Sequence, residues 1–353
     1  MWKYVKYEDK YLGEMINMTI ENYGLEESIS HLEFVSHEYF KNPSGNAIVE
    51  LAFDEEKDVI AGQYVINPHK FKVYDEIINS VLSLNTLTRE AYRGQRIFTG
   101  LAEKSFEKAA EQGFGFCYGA PNPNSYPGFI KKLSFITLCE MPLYLRPLNF
   151  SKIVKEKTNK FLGVLCCPMN LLLFQKKVDD QNIIELTKEN ITIMDFFWDS
   201  IKTKYSIIGV RDSAYISYRY LDVPTRKYFP YVYMKDSKPV AFIVARIRKV
   251  ADMTTGMIAD FLYIDGYEKE AIKLVKYINI KIKQNGAGLV GCIMMAHSNE
   301  AKILKKAHFI KCPSKVLPQS TPLIIRVFDN GLKDKGIMDI NNWFFTTGDY
   351  DVV

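Results

Sequence analysis

Hydrophobic and polar residues alternate over residues 37–66 in a pattern that predicts a β-hairpin. The polar segment HEYFKNPSG precedes an apolar strand, NAIVELAF; the acidic turn DEEKD follows, and VIAGQYVI forms a second apolar strand. A second copy of the pattern begins at residue 218 with YRYLDVPTR, KYFPYVYM, the turn KDSK and PVAFIVAR. Tyr39 and Pro43 have the same spacing as Tyr220 and Pro224. We therefore expect one hairpin in each of two repeated units.

Both copies continue as strand, helix, strand and helix. EIINSVLSL and the helix up to Gly113 correspond to TTGMIADFLYI and the helix up to Gly286, and the closing helices end in KKLSF and KKAHF. This register gives an internal repeat of roughly 180 residues, which fits a duplicated domain rather than a solenoid. We predict a mixed α/β fold with one domain at 1–147, a linker at 148–190 and a second domain at 191–353.

The stretch LTREAYRGQRIFTGLAEKSFEKAA, residues 87–110, turns at a glycine and continues as an amphipathic helix. Such a helix start presents unpaired backbone N–H groups and the positive end of the helix dipole, which together bind phosphate. Arginine side chains add full charges and favour a diphosphate. The alternative is that the arginines are simply solvated. The predicted ligand-binding residues are Arg93, Gly94, Gln95, Arg96, Ile97, Phe98 and Thr99.

Together with the preceding strand SVLSLNTLT, this helix start resembles the GNAT acyltransferase superfamily. YRGQRIF is similar to the family's diphosphate loop, and NSYPGFIKKLSF is similar to its second motif; the resemblance covers residues 45–140 well and the second repeat in outline. It implies two tandem GNAT-like domains and an acyl-CoA co-substrate, whose diphosphate would lie on residues 93–99 and whose pantetheine arm would pair with a strand. The further cofactor contacts so implied are Asn85, Thr86, Leu87 and Asn124.

The chain departs from the family pattern in the diphosphate loop and at the position of the tyrosine that acts as general acid. Arg96 and Phe98 stand at loop positions that usually hold small residues, so the backbone approaches a diphosphate less closely or Arg96 reaches round to it. The tyrosine that protonates the departing thiolate in many relatives falls at Ile130. Tyr126, one turn earlier, either replaces that tyrosine or serves the Pro-Gly turn that follows it.

The base that takes the proton from the acceptor amine is also displaced. The positions that carry it in many relatives hold Leu82 and Leu84. Our first candidate is His297, at the end of the strand GCIMMAHSN, with Asp349 and Glu38 next; a water chain, or a capping role for His297, is the alternative. No Ser-His-Asp or Cys-His order supports a covalent acyl-enzyme, so direct transfer is expected.

In the second copy, YIDGYEKEAIKL places Asp265, Glu268 and Glu270 where the arginines stand in the first. Acidic side chains suit the start of a helix but repel a diphosphate, so we expect self-capping and no coenzyme A there. The aromatic and basic run YISYRYLDVPTRKYFPYVY is expected either to bind the acceptor or to pack on the core. The predicted acceptor-binding residues are Tyr218, Arg219, Tyr220 and Glu38.

Composition and charge narrow the class of partner. A net charge of +5 over 353 residues predicts no nucleic-acid surface but suits a small anionic ligand. Six cysteines form no C-x-x-C pair and no zinc spacing, so no metal is expected. The apolar run at 161–174 is too short to span a bilayer, and the polar N-terminus has no signal peptide. We expect a cytoplasmic protein.

The tandem arrangement, HEYFKNP, YRYLDVP and the ending NNWFFTTGDYDVV resemble GNAT-type proteins of bacterial surface-polysaccharide pathways. The resemblance implies transfer of acetyl or another short acyl group, such as 3-hydroxybutyryl, to a nucleotide-linked amino sugar such as a dTDP-3-amino-3,6-dideoxyhexose. The alternatives are a lysine or peptide N-acetyltransferase, a cell-wall aminoacyl transferase and a degenerate coenzyme A-binding scaffold. A second domain without cofactor supplies a wall, an acceptor pocket or a dimer surface, so a homodimer is one expected assembly.

Overall fold

A computed structural model describes residues 1–158, 167–173, 178, 180–250, 252–313, 317 and 319–350. Half of the apolar run at 161–174, namely residues 161–166 and 174, lies outside the described residues. The described strands are β1 (Trp2–Lys6), β2 (Ile48–Asp54), β3 (Val59–Val73), β4 (Glu76–Thr88), β5 (Phe116–Gly119), β6 (Ile136–Glu140), β7 (Leu143–Pro147), β8 (Ile183–Glu185), β9 (Ile207–Gly209), β10 (Tyr228–Lys235), β11 (Lys238–Val250), β12 (Met253–Tyr263), β13 (Leu289–Ile293), β14 (Ile310–Lys311), β15 (Pro322–Val327) and β16 (Trp343–Phe344).

Helices connect these strands and cover both sheets. Their amphipathic pattern follows the sequence: the residues of α8, for example, are acidic in the first turn, basic in the last and buried along one face. The described helices are α1 (Leu12–Tyr23), α2 (Leu32–Phe40), α3 (Ile97–Glu111), α4 (Tyr126–Lys132), α5 (Phe150–Lys157), α6 (Ile193–Ile201), α7 (Ser213–Ile216), α8 (Glu268–Gln284), α9 (Asn299–Lys306) and α10 (Gly331–Asp334).

Two mixed sheets form the centre of the molecule. The first has the order β1-β2-β3-β4-β5-β15-β6, with β9 on β3 and β16 on β9; the second has the order β14-β7-β13-β12-β11-β10-β8. The two predicted hairpins are present as the antiparallel pairs β2–β3 and β10–β11. Each is followed by a long strand that pairs in parallel with the strand beyond the next helix, β4 with β5 and β12 with β13. The predicted mixed α/β fold is confirmed.

Each sheet contains strands from both halves of the chain, since β9, β15 and β16 of the second half belong to the first sheet and β7 of the first half belongs to the second sheet. β15, from the second half, lies between β5 and β6 of the first sheet, and β7, from the first half, lies between β13 and β14 of the second sheet. The boundaries predicted at 1–147, 148–190 and 191–353 therefore do not separate the two sheets. The sequence repeat hides the exchange, because an apolar strand satisfies its pattern in either sheet.

The first sheet is covered differently on its two faces. α3 packs on one face through an apolar cluster that includes Leu101, Phe106 and Ala109. The opposite face packs against α1, α2 and the C-terminal segment around Trp343, and this cluster includes Leu82 and Tyr118. Helices of the first half and the C-terminal segment of the second half therefore both cover the face of the first sheet on which the candidate site lies.

Candidate active site

β4 and β5 diverge and leave a gap in the first sheet. Their parallel ladder joins Ser80–Leu82 to Phe116–Tyr118 and ends there, because β5 stops at Gly119 while β4 continues to Thr88. The last pair in the ladder is Leu82 with Tyr118. A strand edge without a neighbour offers backbone N–H and C=O groups to an extended ligand.

An irregularity in β4 lies along this open edge. Leu84 pairs with Val65 but Leu87 pairs with Gln63, so Asn85 and Thr86 form a bulge. Asn85 has a left-handed backbone with φ 48°, which asparagine tolerates better than most residues.

Hydrogen bonds hold both the backbone and the side chain of Asn85. Its carbonyl accepts a hydrogen bond from Gln63 Nε2 at 3.0 Å, and its Nδ2 donates to Glu38 Oε2 at 3.0 Å and to the Tyr39 hydroxyl at 2.8 Å. α2 therefore fixes the bulge, and Glu38 lies beside it.

The loop before α3 turns the chain sharply at Gly94 (φ 80°) and at Arg96 (φ 62°). Arg96 is the N-cap, its side chain does not cap the helix, and the first turn contains no acidic residue. Residues 93–96 are exposed, and among the described residues neither Arg93 nor Arg96 has an ion-pair partner. The helix dipole and two arginines therefore face solvent without an internal counter-ion.

The backbone angle at Arg96 explains why this position usually holds glycine in the family that the sequence resembles. A left-handed residue with a side chain costs roughly 1 kcal/mol, which glycine avoids. Phe98 has a different environment, with its ring 5.6 Å from that of Phe129 and 6.0 Å from that of Tyr64. Gln95 Oε1 accepts from Trp2 Nε1 at 2.6 Å, so that side chain is already engaged.

The asparagine-rich loop before α4 holds itself together. Asn122 Oδ1 accepts hydrogen bonds from the backbone N–H groups of Asn124 and Ser125, both at 3.0 Å, and Asn124 is exposed. The Tyr126 hydroxyl lies 2.8 Å from Thr137 Oγ1 and so connects α4 to β6. This contact supports the structural reading of Tyr126; its role as an acid stays a prediction.

A small cavity begins where β4 and β5 part, on the face opposite α3. It offers about 40 Å³ to the centres of water-sized molecules, which is room for a few waters or a small amine group. Its walls come from β3, β4, β5, α2, the α7 region and the C-terminus. The lining residues are Phe34, His37, Glu38, Asn42, Asn67, Pro68, His69, Leu82, Tyr118, Tyr215, Tyr218, Arg219, Val223, Asp349 and Tyr350.

His69 is a buried histidine in the wall of this cavity. Its Nδ1 lies 2.7 Å from the Tyr118 hydroxyl, and that hydroxyl donates to the Asp349 carbonyl at 2.7 Å, so Nδ1 carries the proton. Its ring stacks on Tyr215 at 4.6 Å. Burial lowers the pKa of His69 well below its ordinary value, and the nearby guanidinium groups of Arg211 and Arg219 lower it further.

Asp349 is held by a turn at the C-terminus. Its Oδ2 accepts from the Thr346 N–H at 3.0 Å in a capping box, and its Oδ1 lies 2.7 Å from Arg211 Nη1. Arg211 also donates from Nε to Asp260 Oδ2 at 2.6 Å. These three charged side chains are fully buried, and their mutual pairing makes that burial tolerable.

The structure brings together three of the four predicted acceptor-binding residues, since Glu38, Tyr218 and Arg219 all line the cavity. Arg219 is already engaged, because it donates to the Tyr228 hydroxyl at 3.1 Å and to the Tyr350 carbonyl at 2.8 Å. Tyr220 is not among the lining residues, and its hydroxyl donates to Asp260 Oδ2 at 3.2 Å.

His297 lies outside this group of residues. It is exposed beyond β13, its Nε2 lies 2.9 Å from the Trp343 carbonyl, and it is not among the residues that line the cavity. The other candidate bases, Asp349 and Glu38, do line it.

Sequence reasoning missed His37 and His69. His37 lies 2.9 Å from the Tyr218 carbonyl through Nε2, and burial lowers its pKa. His69 occurs in the strand segment INPHKFKV, where an inward-facing histidine among apolar residues was the available signal. No motif marks either residue, because their partners lie far away in the chain.

The equivalent loop in the second half of the molecule carries acidic side chains in place of the arginines. At the start of α8, Glu268 Oε1 accepts a hydrogen bond from the Gly266 N–H at 3.2 Å, and Asp265 pairs with Lys204 at 2.9 Å. The predicted acidic first turn is present, but the predicted self-capping is wrong, because the N-cap is Tyr267, no side chain caps α8 and Gly266 lies before the helix.

The described part of the chain contains neither a metal-ligand cluster nor a membrane-spanning helix. The ranges that the structure describes contain no cluster of three side chains suited to hold a metal ion. No helix in those ranges combines the length and the apolar character that crossing a bilayer demands.

Comparison with known proteins finds solved structures of similar fold. No protein-family profile matches the chain, and a search of curated proteins gave no match. Among solved structures, Saccharomyces cerevisiae N-myristoyltransferase with bound myristoyl-CoA has a TM-score of 0.66 at 12% identity, over 92% of this chain and 82% of that one.

Two bacterial structures are similarly close. A GCN5-related N-acetyltransferase from Anabaena variabilis has a TM-score of 0.62 at 11% identity, and a probable N-acyltransferase from Enterococcus faecalis has 0.63 at 13% identity. Each match covers 93% of this chain and 73% of the other. At these identities the likeness establishes the fold alone, and this chain shares the mixed α/β fold of these proteins over more than nine-tenths of its length. The division into two tandem domains stays a prediction.

Proposed function

We propose that this protein is a coenzyme A-dependent N-acyltransferase that moves a short acyl group to a primary amine by direct attack. The observation that carries the proposal is the gap between β4 and β5, which runs from the uncapped start of α3 to the cavity at Leu82 and Tyr118. One end of this path suits a diphosphate, and the other end suits an amine.

The cofactor end is supported by charge and by backbone geometry. Arg93, Arg96 and the amides at the start of α3 would hold the diphosphate, and the open edge of β4 around Thr86 and Leu87 would pair with the pantetheine arm. Asn85 would act by shaping the bulge, since its carbonyl is already bonded to Gln63. A similar fold binds myristoyl-CoA in the yeast enzyme.

The specific acceptor that we propose is a nucleotide-linked amino sugar, on the strength of the sequence resemblance and of the aromatic and acidic cavity lining. Only the amine-bearing part of such a molecule would enter a cavity of about 40 Å³. Arg219 is bonded to Tyr228 and Tyr350, so the nucleotide phosphates would be bound outside this cavity. Lysine or peptide amines fit the same entrance and are the competing acceptors.

The test is release of free thiol from acetyl-CoA and 3-hydroxybutyryl-CoA against a panel of dTDP- and UDP-amino sugars, lysine peptides and simple amines, with products identified by mass spectrometry. An acylated amine establishes the reaction and names the acceptor. Acylated peptide with no acylated sugar would reject the sugar acceptor alone. Coenzyme A binding without turnover on any amine would reject the enzyme in favour of a binding module.

A further inference from the structure

Two hydrogen-bond acceptors, His69 Nε2 and Asp349 Oδ1, lie 4.0 Å apart in residues that line the cavity. Among the described residues, His69 Nε2 is buried and has no hydrogen-bond donor, whereas Asp349 Oδ1 is met by Arg211 Nη1 at 2.7 Å. A buried acceptor without a donor is unfavourable, so His69 Nε2 marks a place where a ligand or water donates.

The protonation state of His69 leaves Nε2 as an acceptor. Because Nδ1 donates to the Tyr118 hydroxyl, a neutral ring keeps its lone pair on Nε2. Burial raises the pKa of Tyr118, so that its hydroxyl stays protonated and keeps donating to the Asp349 carbonyl. The titratable and charged groups that face the ring are Tyr118 from β5, Tyr215 from α7, Arg211, Arg219 and Asp349.

The position of the pair relates it to the gap. His69 and Tyr118 are bonded, and Tyr118 with Leu82 is the last pair of the ladder before β4 and β5 diverge. An acyl group that enters along the gap therefore ends beside the cavity that His69 and Asp349 line. A primary amine has two N–H donors and one lone pair, which matches two acceptors and one electrophile.

We propose that the acceptor amine binds between His69 Nε2 and Asp349 Oδ1, and that His69 is a catalytic base of this enzyme. The inference rests on the proposed acyltransferase function.

The step balances without a further reactant. The neutral amine attacks the thioester carbonyl, and its nitrogen becomes strongly acidic as the N–C bond forms. His69 Nε2 takes one proton from that nitrogen, the C–S bond breaks, and the coenzyme A thiolate receives that proton from the His69 ring, which becomes neutral again. Because the adduct nitrogen is so acidic, a base with a lowered pKa suffices.

The experiment compares wild type with His69→Asn, whose amide nitrogen keeps a donor for Tyr118 but provides no base. With the acceptor found in the panel, we expect kcat to fall roughly 10²–10⁴-fold while Kd for acetyl-CoA is unchanged, and added imidazole to restore part of the rate. His31→Ala, at an exposed histidine that does not line the cavity, is the matched control and should keep wild-type kcat. His69→Gln, checked by circular dichroism, serves if His69→Asn does not fold.

The outcomes separate the two claims. If no amine is acylated by the wild type, the proposed function fails and this inference falls with it. If the wild type turns over and the folded His69 variant retains its rate within threefold, only the role of His69 is rejected. Ring ¹⁵N NMR gives an independent readout, since His69 should be neutral with its proton on Nδ1 from pH 6 to 8, and a protonated or Nε2–H ring would overturn the proposal.

Discussion

The starts of α3 and α8 occupy equivalent places in the two halves, but they carry opposite charges. The loop before α3 contains Arg93 and Arg96, which have no counter-ion among the described residues, whereas the first turn of α8 contains Glu268 and Glu270. No side chain caps either helix, and a helix end needs an acceptor for its amides, from a side chain, water or a ligand. The acidic start of α8 repels an anion, and the basic start of α3 leaves the place for one.

The place next to the end of the long strand also differs between the two sheets: it is filled beside β12 and open beside β4. In the second sheet, the C-terminal turn occupies the place next to the end of β12, where Thr347 Oγ1 donates to the Ala259 carbonyl and Thr346 Oγ1 donates to Asp260. In the first sheet, the corresponding place leads to the cavity. The two repeated units thus form one open cleft and one filled with the chain's own residues, and the filled one carries Asp349 into the cavity of the other.

We expect the largest loss of stability when the buried Arg211 cation of the filled cleft is removed. Arg211→Met should lower the free energy of unfolding by about 3–5 kcal/mol, because Asp260 and Asp349 would lose their shared cation in a buried site. Urea denaturation measures the change. Lys273→Met is the control, since its pair with Asp180 is half exposed and should matter by less than about 1 kcal/mol. Equal losses in both variants would contradict this account.

Charge reversal should distinguish the two helix starts directly. The double variant Arg93→Glu/Arg96→Glu should weaken coenzyme A binding at least ~100-fold, because two charge-assisted hydrogen bonds are replaced by repulsion. Lys269→Glu makes the same kind of change at the start of α8 and should leave Kd unaltered. Isothermal titration decides, and similar weakening by both variants would place the cofactor elsewhere.

Acid should destabilise the protein through the cavity histidines. The pKa values of His69 and His37 are lowered by burial, so below the ordinary histidine pKa of about 6.5 the unfolded chain binds protons that the native state does not. Stability contributed by the neutral rings is complete above about pH 6.5 and is lost as the pH falls below it. Urea unfolding at pH 5.0 to 7.5 should show this slope, and His69→Asn should reduce it by about one proton. An unchanged slope would mean that His69 titrates normally.

The smallest effect concerns the left-handed residue in the open loop. Arg96→Gly should be roughly 1 kcal/mol more stable than Arg96→Ala, because both remove the same charge but alanine keeps the strained backbone. The comparison of melting temperatures measures this. If glycine also binds coenzyme A more tightly than alanine does, the backbone as well as the side chain contacts the diphosphate; equal stabilities would show that the loop is not held left-handed.

Local patterns in the sequence were enough to predict the hairpins, the repeat, the mixed α/β fold and the acidic start of α8. Each rests on residues that are neighbours in the chain, such as Glu268 and Glu270. The exchange of β7 and β15 was not predictable, since strand pattern specifies which face is buried but not which sheet accepts the strand.

The cavity residues show the same limit of prediction from local sequence patterns. Glu38, Tyr218, Arg219 and Asp349 were identified by residue type and by resemblance, whereas His69 gains its meaning from Tyr118 and Asp349, which are 49 and 280 positions away. His297 was favoured because it ends a strand, but its ring is bonded to the Trp343 carbonyl outside the cavity.

The strand exchange also orders the events of synthesis. β5 and β6 are complete by Glu140, but β15, which must pair with both, ends only at Val327. A ribosome therefore makes more than half of the chain while two unpaired strand edges of the first sheet wait for their neighbour. Such edges pair readily with other chains, so translation speed and chaperone access should govern the yield of folded protein more than the stability of the finished molecule does.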